Sequence, residues 1–139
     1  MNVFLLIGAA LSAIVATLHI GCIIFGAPWY RFFGAGEKMA ILAEKGSFQP
    51  TIITSFIVVV LFIWSLYALS GAGLIAKLPL IRWVLSAITC IYLIRGILGF
   101  FLITNPLGRS PEFWFWSSAI CLSFGIIHLV GLKQVWQNL

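Results

Sequence analysis

Arg95 is the only charged residue between Arg82 and Arg109, and it stands in an otherwise apolar stretch. A guanidinium does not shed its proton, so inside a bilayer it must pair, reach for the headgroups or line a polar cavity. Its planar fork suits an anionic or carbonyl group. His19 lies within a second apolar stretch, where an imidazole can donate a hydrogen bond or move a proton. Both residues fall about eight positions from the same end of their stretches, about 12 Å down at 1.5 Å per residue, and so share a depth. Tyr92, one turn below Arg95, adds a hydroxyl. The three acidic residues, Glu37, Glu44 and Glu112, lie in connections at that same end, where they would close the mouth of a pocket and supply counter-charge. Arg95, His19, Tyr92, Glu37, Glu44 and Glu112 are therefore the expected ligand-binding set. Snorkelling is the competing reading of Arg95, but a reach of about 6–7 Å recovers only part of its depth. A hydrogen-bonded pair that merely fixes helix register competes with the pocket as a whole.

Other chemistries find less support. Cys22, Cys90 and Cys121 stand singly in three apolar stretches without a C-x-x-C pair, which argues against a thiol–disulfide centre or a tetrahedral zinc site. No H-x-x-H, H-E-x-x-H or histidine–carboxylate cluster is present, so no metal is expected. A haem between His19 and His128 would need both at one depth, yet His128 lies about 22 Å below the end from which His19 is about 12 Å down. No cofactor is expected, and no nucleophile–base pair marks a catalytic residue.

The elements that carry these residues follow from composition. Of 139 residues, 63% are hydrophobic and 8% charged, too few charges to clothe a water-soluble domain. The bilayer is the implied solvent, and a helix needs about 20 apolar residues to cross it. Four stretches qualify: about 3–27, 51–72, 78–103 and 113–132. They are continuous rather than alternating, which excludes a barrel. The first lacks a basic n-region and is too long for the core of a secretory signal, so it is expected as an uncleaved span. The fold class is all-α: an integral membrane four-helix bundle, one transmembrane domain over 1–139, with a short amphipathic helix in the first connection.

That helix is expected from Glu37 to Lys45, after Gly34 to Gly36 and before a stop at Gly46, and lying on the membrane or lidding the bundle are both open. Trp29, Tyr30, Phe32, Phe33, Trp114 and Trp116 read as interfacial anchors. Small or polar residues mark the inward faces: Gly8, Ser12, Ala16 and His19 in the first span, Thr51, Ser55 and Ser65 in the second, Tyr92, Arg95, Gly96 and Gly99 in the third, and Ser117, Cys121, Gly125, His128 and Gly131 in the fourth.

With four spans both termini share one face with the turn 73–77, here the terminal face; the first connection and the turn Thr104 to Glu112 share the other, the loop face. Basic residues divide almost evenly between them, with Lys77, Arg82 and Lys133 on one and Arg31, Lys38, Lys45 and Arg109 on the other. Both termini are read as cytoplasmic, in a bacterial-type inner membrane. The net charge of +5 anchors the chain to headgroups; no basic cluster is dense enough for nucleic acid. The expected function is binding, and by extension carriage, of a small anionic or amphipathic ligand in an interhelical pocket around Arg95 and His19. The alternatives are an accessory or assembly subunit docking on a membrane partner protein or a second copy of itself, and a membrane-embedded enzyme acting on a lipid or quinone with His19 as acid–base.

Overall fold

A computed structural model describes residues 1–105 and 109–139 as six α-helices: α1 Val3–Phe25, α2 Ala27–Phe32, α3 Glu37–Glu44, α4 Gln49–Ala72, α5 Ile81–Phe101 and α6 Pro111–Val135, the last followed by a short 3-10 turn. Four of them, α1, α4, α5 and α6, are long and apolar enough to cross a membrane. The fold is a four-helix bundle of the membrane type, as expected. The middle of the turn expected from Thr104 to Glu112, positions 106–108, lies outside the described residues.

The ends of the helices follow local chemistry. Asn2 caps α1 by accepting the Leu5 amide at 2.9 Å. Gly26, at φ 75°, stops α1 two residues short of the expected end, and Pro28 in the next turn opens α2. Pro50 similarly sits in the first turn of α4, which starts at Gln49 rather than Thr51. The Leu78-Pro79-Leu80 segment delays α5 to Ile81, because proline cannot donate and disfavours helix at the residue before it. Ser110 caps α6 through the Phe113 amide at 3.0 Å, with Pro111 at its first turn.

Contacts at the terminal face fix the directions. The Asn2 amide donates to the Ala72 carbonyl, the Asn2 side chain to Gln134, and Arg82 to the Trp136 carbonyl, so α1 runs against α4 and α6, and α5 against α6. Helix α1 lies closely along α4 and α5 along α6, while α4 and α5 touch more sparsely. The core between the pairs holds Leu5, Leu61, Leu85, Ile88, Tyr92, Phe124 and Leu132. Large apolar side chains such as Phe56, Ile63, Ile94, Ile97 and Leu98 point outward, where lipid would cover them.

Small residues set the helix spacing. Gly96 of α5 lies against the backbone of Leu122, and Gly125 of α6 against Leu93, a reciprocal notch that brings the two helices close. Gly8 of α1 faces the ring of His128. On α4 the inward positions are Thr54 and Ser65, the latter donating to the Ala9 carbonyl at 2.8 Å, whereas Thr51 and Ser55 are only half-buried.

The first connection folds back over the loop face. Helix α2, which the sequence reading did not anticipate, buries Tyr30, whose hydroxyl meets Thr54 Oγ1 at 3.1 Å, while Trp29 packs on Gly21. Helix α3 covers the expected stretch and buries Ala40 against a small core of Cys22, Ala27 and Tyr30. Helix α3 thus packs over the loop-face end of the bundle as a lid. Gly34 at φ 76° carries the turn between α2 and α3 onto Phe113 of α6.

Candidate functional site

Arg95 and His19 each lie six residues from the loop-face end of their helices. The shared depth is as expected, but α5 ends at Phe101, so that depth is about 9 Å. The Arg95 side chain then runs toward the loop face across Gly99, whose missing side chain leaves room: a Cβ there would meet Ser118 Oγ and approach Arg95 Nη1 to 2.7 Å. Arg95 Nη2 donates to Ser117 Oγ at 3.1 Å, and the guanidinium stacks on Trp114, 4.9 Å from its ring centroid. Nη1 is buried with no hydrogen-bond partner among the described residues.

Trp114 also carries a second cation. The Arg109 guanidinium lies 5.6 Å from the same ring and 4.8 Å from Phe113. Burial, with the nearby charge of Arg95 adding to it, holds Arg109 below the ordinary guanidinium range, the direction expected of a positive charge short of counter-charge. Trp114 is 7% exposed, so it is a buried platform rather than the interfacial anchor its place at a helix start suggested; Trp116, at 63%, does face outward.

The acids lie elsewhere. Arg31 binds Glu37 at 2.8 Å and Glu44 at 2.6 Å, in an exposed cluster on the outside of the lid. Those bonds hold the Glu37 carboxyl below the usual carboxylate range. Glu112 is exposed in the first turn of α6. Among the described residues neither Arg95 nor Arg109 has a carboxylate within ion-pair distance.

His19 Nδ1 bonds the Val15 carbonyl of its own helix at 2.7 Å. A carbonyl only accepts, so Nδ1 carries a proton and donates it to that bond. No hydrogen bond, ion pair or ring contact joins His19 to Arg95 among the described residues, and the two stand on helices that are diagonal in the bundle. Tyr92 is central in a different way: its hydroxyl hydrogen-bonds Ser12 at 2.8 Å, and its ring contacts Trp64, Phe124 and His128 at 5.1, 5.5 and 5.1 Å. His128 is fully buried, donating from Nδ1 to the Phe124 carbonyl at 2.7 Å. Of the six expected residues, then, Arg95 and Tyr92 lie on one wall, Glu37 and Glu44 meet at Arg31, and His19 and Glu112 stand apart.

That wall belongs to a groove of about 370 Å³ where α4 and α5 part, formed by Phe56, Val60 and Trp64 of α4, Ile91, Tyr92 and Arg95 of α5, and Cys121 of α6. Its surface is apolar throughout. Ser117, Arg109 and Trp114 are the partners sequence reasoning did not assign to Arg95. Ser117 was legible as part of the small-residue stripe of α6, and Trp114 sits one turn before Ser118 on that buried side. Comparisons with protein-family models, with curated proteins and with solved structures give no match for this chain.

Proposed function

We propose that this chain is a multi-pass membrane protein that holds an anionic amphiphile, with the apolar tail in the groove between α4 and α5 and the head on Arg95. One observation carries the reading: a half-buried arginine whose Nη1 is buried without a partner, and which has no carboxylate within ion-pair distance among the described residues, stands at the wall of an apolar groove. Buried cations are costly unless paired, and an occupant with a negative head and a hydrocarbon tail satisfies both the cation and the groove. The head then lies where the guanidinium rests, over Trp114 and beside Gly99, with the tail entering the groove that Arg95 borders. His19 and Glu112 have no part in this form of the reading, and Tyr92 contributes its ring, since its hydroxyl is engaged by Ser12. Carriage across the membrane is an extension of the same site. Both termini are taken as cytoplasmic, which a fluorescent C-terminal green-fluorescent-protein fusion supports and an inactive one opposes.

The test is thermal unfolding in a mild non-ionic detergent with oleate or the uncharged monoolein. Oleate at a hundredfold excess over its Kd should stabilise the protein by about 2.7 kcal/mol, and monoolein should not. Arg95→Gln should fold and lose the oleate effect. Undiminished stabilisation of that variant by oleate would overturn the reading.

A further inference from the structure

We infer that the head group held at Arg95 is a phosphomonoester, bound jointly by Arg95 and Arg109 across Trp114; this rests on the proposed binding of an anionic amphiphile. The two guanidinium carbons lie 4.9 and 5.6 Å from one indole ring, so two full positive charges share a single platform. An aromatic face stabilises each cation but neutralises neither. The chain has three side-chain carboxylates; two are bound to Arg31 and the third, Glu112, is exposed and outside ion-pair distance of either arginine. Acceptors are equally scarce. Arg95 has the neutral Ser117 hydroxyl alone, and Arg109 has no hydrogen bond among the described residues.

Arg82 provides the contrast within the same molecule. It also lies over an indole, that of Trp136 at 4.7 Å, and its Nε is likewise buried without a partner, yet its Nη2 donates to main-chain oxygens of Trp136 and Leu139 at 3.2 Å each. Arg82 thus has two main-chain acceptors, whereas among the described residues Arg95 has one neutral hydroxyl and Arg109 has none. A carboxylate or a phosphodiester brings one negative charge and would leave one guanidinium unopposed. A phosphomonoester near neutral pH carries nearly two and offers three oxygens to the fork geometry of arginine. The apolar groove beside Arg95 makes a lipid the expected source of that head, with free phosphate as the other.

Binding of water-soluble short-chain lipids to the purified full chain in non-ionic micelles tests this. Dioctanoyl phosphatidic acid, a monoester, should bind about tenfold or more tightly than dioctanoyl phosphatidylglycerol, a diester. Arg109→Gln should remove that preference by weakening the monoester alone, and Arg109→Lys, which keeps the charge and guards against a folding defect, should retain most of it. Arg95→Gln should weaken both lipids. Equal affinity of the wild-type protein for the two lipids overturns the phosphomonoester assignment and leaves anionic-amphiphile binding standing, whereas failure of both lipids and of oleate overturns the two together. Inorganic phosphate binding as tightly as phosphatidic acid would keep the head-group chemistry and overturn the lipid source.

Discussion

Gly96→Ala tests the contact on which the position of Arg95 depends. A Cβ at Gly96 would sit 2.6 Å from the Leu122 amide nitrogen and 2.8 Å from its Cα. Both are backbone atoms of α6 and cannot escape by changing rotamer, so α5 and α6 must separate by a few tenths of an ångström or more. Overpacking of this kind costs about 1–3 kcal/mol. Against it stands the helix propensity of alanine, worth up to about 1 kcal/mol over glycine. The net expectation is a loss of about 1–2 kcal/mol. Gly71→Ala is the matched control, because its nearest neighbours are the side-chain tips Leu85 Cδ1 at 2.6 Å and Leu5 Cδ1 at 3.0 Å, which can move; its loss should be under about 1 kcal/mol. Unfolding in mixed micelles with increasing dodecyl sulfate, followed by tryptophan fluorescence, would rank the variants. A Gly96→Ala protein at least as stable as the wild type, or less perturbed than Gly71→Ala, would refute the backbone contact and with it the close α5–α6 approach that seats Arg95 on Ser117.

Two further outcomes follow from the polar contacts. Tyr92→Phe and Ser12→Ala each remove the 2.8 Å bond across the bundle centre and should cost about 0.5–1.5 kcal/mol; the double variant should lose markedly less than the two together, and strict additivity in the same titration would refute the pairing. The Arg31–Glu37 pair gives a pH dependence with a definite sign. Because Arg31 lowers the folded-state pKa of Glu37 below its ordinary 4.5, the pair supports the lid fully above about that pH and fades as pH falls through the lower folded value. Amide exchange in α3, corrected for its intrinsic rate, should therefore quicken below pH 4.5 in the wild type and respond less in Glu37→Gln, and an identical response in both would count against it.

The spans were legible because a bilayer imposes a length and a composition that each residue either meets or breaks. Gly26 and Pro79 shifted boundaries by two or three residues through backbone chemistry that a count of apolar residues does not weigh. Helix α2 was not legible: six residues rich in aromatics carry no periodicity, and the same residues suit interfacial anchors. Its burial depends on Tyr30 reaching Thr54 and Trp29 reaching Gly21, contacts that exist only once α1 and α4 are adjacent. The candidate site divided along the same line. Depth is a property of one helix, so the equal depths of Arg95 and His19 could be counted from the sequence. Which helix a side chain meets depends on neighbour order, and the diagonal placement of α1 and α5 sends Arg95 to α6 and leaves His19 on its own backbone.

The charges of the loop face form one arrangement. Positive φ at Gly34 and Gly36 brings the α2–α3 turn down onto α6, so that a Cβ at Gly36 would lie 3.8 Å from Arg109 Nε. Glu37 is the next residue, an acid on the segment that approaches Arg109. Arg31 takes both Glu37 and Glu44 on the outer side of the lid, with Nε and Nη2 on one carboxylate and Nη1 on the other. The lid acids are thereby held away from the Trp114 platform, and the positive charge of Arg95 and Arg109 stays unopposed within the chain. Keeping those acids on Arg31 is what the proposed binding of an external anion at the platform requires.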